Sequence, residues 1–264
     1  MRIRSRRRRL KAPIICACLL VLNFGAEAAC ADLRIAVASN FVQTLTEICR
    51  AYFDQREDRC IVTSGASGLL YAQIRQGAPF DIFLSADVAR PARLEASGLT
   101  VPASRFTYAT GQLVYWQPRA KTDLSLREAL NSDEVHILAL ANPDTAPYGA
   151  AARETLSALG IPADRFRLVV GENIAQAFQF VATGAADAGF VARAQILRLV
   201  PPEGRSIPSG VWPVDERLHD AIEQQAVLLE NTPNRLEAES FLAYLRSPAA
   251  ATIIRRAGYA MPGQ

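Results

Sequence analysis

The sequence predicts an α/β protein whose core is parallel β-sheet, and three observations support this. Short apolar runs alternate with segments of helical periodicity from residue 32 onward. Small or hydroxyl residues stand at several points where a strand gives way to a helix. Of the 264 residues, 50% are apolar and 21% are charged, which is typical of a folded globular protein and excludes disorder and coiled coil.

The first half of the chain contains three strand–helix units. Apolar residues such as Phe41, Leu45 and Ile48 recur at helical spacing, and Gly77 begins a Gly-Ala-Pro break that ends a later helix. Asp87 stands where it can cap the helix that follows the third strand. The predicted strands are 33–37, 60–63 and 80–84, and the predicted helices are 41–53, 67–76 and 88–97.

The second half repeats the alternation and ends in two helices. A segment rich in proline and glycine, 201–213, is predicted to be a loop. Gly160 ends a helix rich in alanine. The predicted strands are 112–116, 137–140, 167–170, 188–191 and 226–229, and the predicted helices are 125–130, 148–159, 174–183, 236–245 and 249–256.

The N-terminus has the pattern of an export signal. A basic stretch, 2–11, precedes a mostly apolar run, 12–25, that is too short to span a membrane, and small residues follow. We predict a signal peptide over 1–31, cleaved near Ala31, and a periplasmic location. The pattern leaves open the general or the twin-arginine export route, and a retained single-span anchor is the alternative.

The charge of the chain is concentrated in this signal. Seven of the 29 basic residues and one of the 26 acidic residues lie in 1–31, so the rest of the chain has a formal charge of −3. It has no basic stripe of the kind that binds a phosphate backbone, which argues against nucleic acid as a partner.

The five cysteines and two histidines limit the redox and metal chemistry that the chain can carry out. Cys49 and Cys60 remain as an even pair if Cys16, Cys18 and Cys30 leave with the signal, so a disulfide is plausible in an oxidising compartment. There is no C-x-x-C motif, and His136 and His219 are far apart in sequence. We therefore expect neither a dedicated zinc site nor a Cys-His catalytic pair.

Four predicted helix starts carry neutral hydrogen-bond donors. The segments are 38–41 with Ser39 and Asn40, 64–68 with Ser67, 142–149 with Tyr148, and 171–174. Free N–H groups and the positive end of the helix dipole favour anions there, although any one of these residues could simply cap its helix. None of the four segments contains Lys or Arg. Such a site suits a small, fully deprotonated oxyanion.

The motifs do not favour an enzyme. The segment 65–68 is not a G-x-S-x-G elbow, and neither a G-x-G-x-x-G motif nor a P-loop is present. A hydrolase or transferase with Ser67 as nucleophile is the alternative, and it lacks a base in the predicted junctions. An effector-sensing domain of a regulator is a third class, disfavoured by the export signal.

The chain resembles the periplasmic molybdate-binding proteins of ABC importers over about 32–264. The segments that carry the resemblance are GAPFDIFLSAD at 77–87, NPDTAPYG at 142–149, GENI at 171–174, and FLAYL at 241–245 followed by AGY at 257–259. The resemblance implies a type II binding-protein fold of two lobes that close on molybdate or tungstate. It also implies delivery to a membrane permease, a monomeric state, no cofactor and no cation site. Another oxyanion such as sulfate is the alternative ligand.

The family's contacts map onto five positions: Ser39, Asn40, Ser67, Tyr148 and Ile174. The resemblance implies contacts from the hydroxyl and N–H groups of Ser39 and Ser67, with Asn40 beside Ser39, and from the helix-start N–H groups of the last two. Many members have a tyrosine where this chain has Ala192, and Tyr148 resembles an alternative arrangement that supplies this donor. The resemblance implies lobe one at 32–112 and 225–264 and lobe two at 113–224, with hinge crossings near 112–114 and 224–227. It places Cys49 and Cys60 together in lobe one.

Overall fold

A computed structural model describes residues 32–54, 59–120, 124–201 and 208–263. The predicted signal peptide, 1–31, and its cleavage site lie outside these residues. The strands are β1 (Leu33–Ala38), β2 (Cys60–Gly65), β3 (Ile82–Ser85), β4 (Phe106–Gly111), β5 (Leu113–Trp116), β6 (Ile137–Ala141), β7 (Arg167–Gly171), β8 (Ala188–Ala192), β9 (Val211–Pro213) and β10 (Ile222–Leu228). The helices are α1 (Val42–Tyr52), α2 (Ser67–Arg75), α3 (Ala89–Ala96), α4 (Leu126–Leu130), α5 (Pro147–Ala158), α6 (Ile174–Ala182), α7 (Arg193–Ile196), α8 (Arg235–Leu245) and α9 (Pro248–Arg256).

The strands form two five-stranded sheets. The first has the order β2-β1-β3-β10-β4 and the second β7-β6-β8-β5-β9. In each sheet three neighbouring strands run parallel, and the other two join through antiparallel pairs. The predicted α/β class is confirmed, and the antiparallel strands make each sheet mixed. We call the first sheet with its helices the first lobe, and the second sheet with α4 to α7 the second lobe.

Strand β1 shows why these sheets are buried on both faces. Leu33, Ile35 and Val37 point to one side, where Leu45 and Ile48 of α1 cover them. Ala36 points to the other side, into a second cluster that contains residues of α2 and β3. The alternation is the two-residue period of a strand, and it requires helices on both faces.

The chain passes between the lobes through two short connections. Only Gln112 separates β4 from β5, and residues 219–221 separate the 3-10 turn Glu216–Leu218 from β10. Ile222 is already paired with Gly111, so β10 starts before the predicted crossing at 224–227 and runs across the predicted boundary at 225. The polar residues 223–225 hid this part of the strand, because they interrupt its apolar run.

Three further elements differ from the prediction. Strand β4, strand β9 and helix α7 were not predicted. The 3-residue β9 and the 4-residue α7 are too short to show a periodicity. β9 lies inside the segment predicted to be a loop, where its pairing with β5 holds it extended. Tertiary pairing therefore created it.

A disulfide links the end of α1 to the start of β2. Cys49 and Cys60 are bonded, with an S–S distance of 2.02 Å. Both cysteines belong to the first lobe, and Cys49 is fully buried among the side chains of its core. The bond therefore fixes the helix that begins just after Asn40. Among the described residues, no helix is both long and apolar enough to cross a bilayer.

Candidate functional site

Three helix starts and the turn after β1 converge on one small cavity between the lobes. The first lobe contributes the turn after β1 and the start of α2, and the second lobe contributes the starts of α5 and α6. The space there that no atom fills, including the part open to solvent, is about 190 Å3. The residues that line it are Ala38, Ser39, Asn40, Gly65, Ala66, Ser67, Ala86, Ala146, Pro147, Tyr148, Asn173 and Ile174.

The cavity wall is uncharged, and most of its residues are buried. No Lys, Arg, His, Asp or Glu is among these lining residues. Ser67 and Tyr148 are each 1% exposed, and Asn40 and Ile174 are also buried. The structure thus brings together all five predicted contact residues, although they lie up to 135 positions apart in the sequence, from Ser39 to Ile174.

Backbone N–H groups supply a set of donors. Ser67 and Ile174 are the first residues of α2 and α6, and Tyr148 is the second residue of α5. The first four N–H groups of a helix have no intrahelical carbonyl to bond. The positive ends of three helix dipoles add to these donors, so the cavity favours negative charge without any cation.

The two serines of the site differ in their bonding. The Ser39 hydroxyl oxygen is buried and has no hydrogen-bond partner among the described residues. The Ser67 hydroxyl oxygen instead accepts from the Ala86 N–H at 3.0 Å, which leaves its own hydrogen for the cavity. A buried hydroxyl without a partner costs about 1–3 kcal/mol, so its presence points to a ligand that would pair it.

Asn173 serves the scaffold more than the cavity. Its side-chain oxygen accepts from the N–H groups of Ala175 and Gln176 at 3.0 and 3.2 Å, which caps α6. This cap leaves the Ile174 N–H as the donor that α6 can offer. Ala192 also supports the start of α6. The Ala192 N–H donates to the Gln195 side chain, and this side chain in turn donates to the Ile174 carbonyl.

Behind the cavity lies a buried polar cluster centred on Gln224 of β10. The Gln224 side-chain oxygen accepts from Asn40 at 2.9 Å and from the Tyr108 hydroxyl at 3.0 Å. Its side-chain nitrogen lies 3.4 Å from the Tyr148 hydroxyl oxygen. Tyr259 donates to the Asn40 carbonyl at 2.7 Å. The cluster joins side chains of both lobes at β10, the strand that follows the second connection between the lobes.

The tyrosines of this cluster stay protonated. Burial raises the pKa of Tyr148 and that of Tyr108 well above the ordinary value, and the neighbouring Tyr259 hydroxyl raises both further. Burial likewise raises the pKa of Tyr259. The hydroxyls therefore remain neutral donors over the whole physiological pH range.

The lobes contact each other at two places besides the polar cluster. Next to the cavity, the Gly68 N–H donates to the Thr145 carbonyl at 2.9 Å, and Arg90 donates to the Asp144 carbonyl at 3.1 Å. Elsewhere, Arg198, which follows α7, donates to Thr44 of α1 at 3.3 Å. The two lobes are therefore closed over the cavity.

Comparison with known proteins identifies the family. Residues 33–260 match the family model described as bacterial extracellular solute-binding protein. The chain is 39% identical to the molybdate-binding protein ModA of Azotobacter vinelandii over 92% of this chain and 97% of the relative. It is also 39% identical to that of Rhodobacter capsulatus, over 92% and 94%.

The chain is a bacterial extracellular solute-binding protein. The solved structure of the Azotobacter vinelandii periplasmic molybdate-binding protein is similar to it, with a TM-score of 0.82 and 36% identity over 88% of this chain and 100% of that one. The type II binding-protein fold predicted from the resemblance is thereby confirmed.

Sequence reasoning missed the second layer of this solute-binding protein's site. Gln224, Tyr108 and Tyr259 were not predicted to belong to the site, and they lie on strands or in the C-terminal segment, away from the helix starts. Gly111 was missed as well: a Cβ there would lie 2.1 Å from the Tyr148 hydroxyl oxygen. The one available signal was the polar run 223–225 in an otherwise apolar strand.

Proposed function

We propose that this protein captures molybdate, and tungstate with it, in the cavity between its lobes and delivers the anion to the permease of an ABC importer in the periplasm. The observation that carries the proposal is the cavity wall. Neutral donors from both lobes surround it, and no charged side chain lines it. The relatives at 39% identity are molybdate-binding proteins, which names the oxyanion.

The donor set suits a dianion that carries no proton. Ser39, Ser67 and Tyr148 can each donate a hydroxyl hydrogen, and the N–H groups of Asn40 and Ile174 complete the set. A protonated phosphate would require a carboxylate to accept its hydrogen, and none lines the cavity. Molybdate is fully deprotonated at neutral pH and needs donors alone.

Binding and closure are coupled in this proposal. The anion contacts donors of both lobes only when they are closed, so it stabilises the closed state by its differential affinity. The permease would then recognise the closed protein. In this role the protein acts as a monomer, without catalysis and without a resident cofactor.

Calorimetric titration of residues 32–264 with molybdate, tungstate, sulfate and phosphate tests the proposal. We expect one-to-one binding of the first two anions and at least hundredfold weaker binding of the others. The double variant Ser39→Ala/Ser67→Ala should lose binding, while Ser240→Ala, an exposed serine of α8, should bind as the wild type does. Equal competition by sulfate would instead assign the protein to another oxyanion, and a lack of binding by all four anions would overturn the proposal.

A further inference from the structure

Gln224 occupies a position that links the two lobes behind the cavity. It is fully buried, with 0% of its surface exposed. It lies at a bulge in β10, because the pairing with β4 shifts register between Gln224 and Gln225. A bulge turns a side chain away from its regular direction. Here the turn places an amide between Asn40 of the first lobe and Tyr148 of the second.

Two donors determine which way this amide points. Asn40 and Tyr108 both donate to the same Gln224 oxygen, at 2.9 and 3.0 Å. With its oxygen held between two donors, the amide must present its nitrogen on the opposite side. That nitrogen is the atom that faces the Tyr148 hydroxyl oxygen.

The direction of the Tyr148 hydrogen follows from this. A hydroxyl oxygen that accepts a hydrogen bond from an amide N–H must send its own hydrogen elsewhere. Among the described residues no acceptor for that hydrogen is found, and Tyr148 lines the cavity. The Tyr148 hydroxyl and the Gln224 amide can meet only because residue 111 is a glycine. A Cβ at position 111 would lie 2.1 Å from the Tyr148 oxygen and 2.8 Å from the Gln224 nitrogen.

We infer that Gln224 is a positioning residue for anion binding: its amide accepts from Asn40 and Tyr108, donates to the Tyr148 oxygen, and so directs the Tyr148 hydrogen at the bound oxyanion. The inference rests on the proposed function and adds a residue to it. Gln224 does not touch the anion itself. It prepares a donor of the second lobe by means of groups in the first lobe, so this donor is directed at the anion only in the closed protein.

A double-mutant cycle tests the inference, with molybdate as the probe. Gln224→Met keeps the length of the side chain and removes the amide. We expect it to raise the Kd about tenfold, and Tyr148→Phe to raise the Kd about tenfold to a hundredfold, as removal of a bond to a charged group does. The double variant should bind no more weakly than Tyr148→Phe alone, because the amide acts through the hydroxyl.

A purely structural role for Gln224 predicts a different result. The two effects would then multiply, and an additive cycle overturns the inference. So does a Gln224→Met variant that binds like the wild type. Gln225→Met is the matched control, because this neighbouring amide bonds Arg105 and Thr107 of the first lobe. The Kd of the Gln225→Met variant for molybdate should equal that of the wild type.

A second variant covers the case in which Gln224→Met does not fold. Tyr108→Phe removes one of the two donors that orient the amide. It should raise the Kd two- to fivefold in the wild-type background and not at all in the Tyr148→Phe background. Equal effects in both backgrounds overturn the inference. The wild-type titration separates the two proposals: absence of molybdate binding overturns both, whereas binding with an additive cycle overturns only the role of Gln224.

Discussion

The backbone N–H of Gly68 donates to the carbonyl oxygen of Thr145 over 2.9 Å. Gly68 is the second residue of α2 in the first lobe, and Thr145 precedes α5 in the second. The bond therefore closes the rim of the cavity beside Ser67 and Tyr148. It is a direct main-chain contact between the lobes, and the Arg90 side chain adds a bond to the Asp144 carbonyl beside it.

This contact leaves no room for a side chain at position 68. A Cβ on Gly68 would lie 3.0 Å from both the Cα and the carbonyl oxygen of Thr145. We expect Gly68→Ala to disfavour closure and to weaken molybdate binding about fivefold, equivalent to about 1 kcal/mol. Calorimetry would measure the change, and Gln73→Ala, exposed on the same helix, is the control. An unchanged Kd would show that the rim contact does not contribute to closure.

Substitution of Ser39 and substitution of Ser67 by alanine should have different effects on the unfolding free energy. Ser39→Ala removes a buried hydroxyl that has no partner among the described residues, so the unfolding free energy of the empty protein should stay constant or rise by up to about 1 kcal/mol. Ser67→Ala leaves the Ala86 N–H without its acceptor and should lower it by about 1 kcal/mol.

Both serine variants should nevertheless bind molybdate more weakly, by about tenfold to a hundredfold each. Urea denaturation of the empty proteins together with calorimetry separates the two effects. A Ser39→Ala variant that loses stability by as much as Ser67→Ala would contradict the assignment of its hydroxyl to the ligand.

Molybdate affinity should depend little on pH near neutrality. None of the cavity-lining side chains titrates between about pH 6.5 and 9, because His, Cys, Lys and carboxylates are absent from the lining. We therefore expect a flat Kd over this range, measured by titration in buffers of constant ionic strength. A steep change would indicate that a charged group outside the lining controls binding.

Stability should fall in alkaline solution. Burial raises the pKa of Tyr108, Tyr148 and Tyr259 in the folded protein above the value of about 10 for unfolded tyrosine. As the pH rises past about 10, the unfolded chain releases these protons first, so the unfolding free energy decreases. Below that pH these tyrosines are protonated in both the folded and the unfolded state, so they contribute no pH dependence to the unfolding free energy. Urea denaturation between pH 8 and pH 11 would measure the trend, and Tyr108→Phe should make it shallower.

Removal of the disulfide should cost stability without changing the site. The bond between Cys49 and Cys60 spans 11 positions, and the loss of a loop constraint of this size costs about 2–3 kcal/mol. We expect Cys49→Ala/Cys60→Ala to lower the unfolding free energy by that amount and to leave the Kd for molybdate within about twofold, because neither cysteine lines the cavity. A large loss of affinity would mean that the disulfide positions Ser39 and Asn40 through α1.

The sequence by itself determined the α/β class, most of the strands and helices, and the helix starts that carry neutral donors. Those features depend on local pattern: apolar periodicity, capping residues and the positions of glycine and proline. Ser39, Asn40, Ser67 and Tyr148 were found in this way, since each stands at a strand–helix junction, and the family resemblance added Ile174.

Only the tertiary structure decided what these donors meet. The Ser67 hydroxyl accepts from the Ala86 N–H, and the Tyr148 hydroxyl meets Gln224 beside Gly111, and these partners are remote in sequence. Gln224 was hidden because a polar residue within a strand has no local signature of its partners. Its role arises from a bulge in β10 and from the closing of two lobes, and both depend on long-range pairing that no short window of sequence contains.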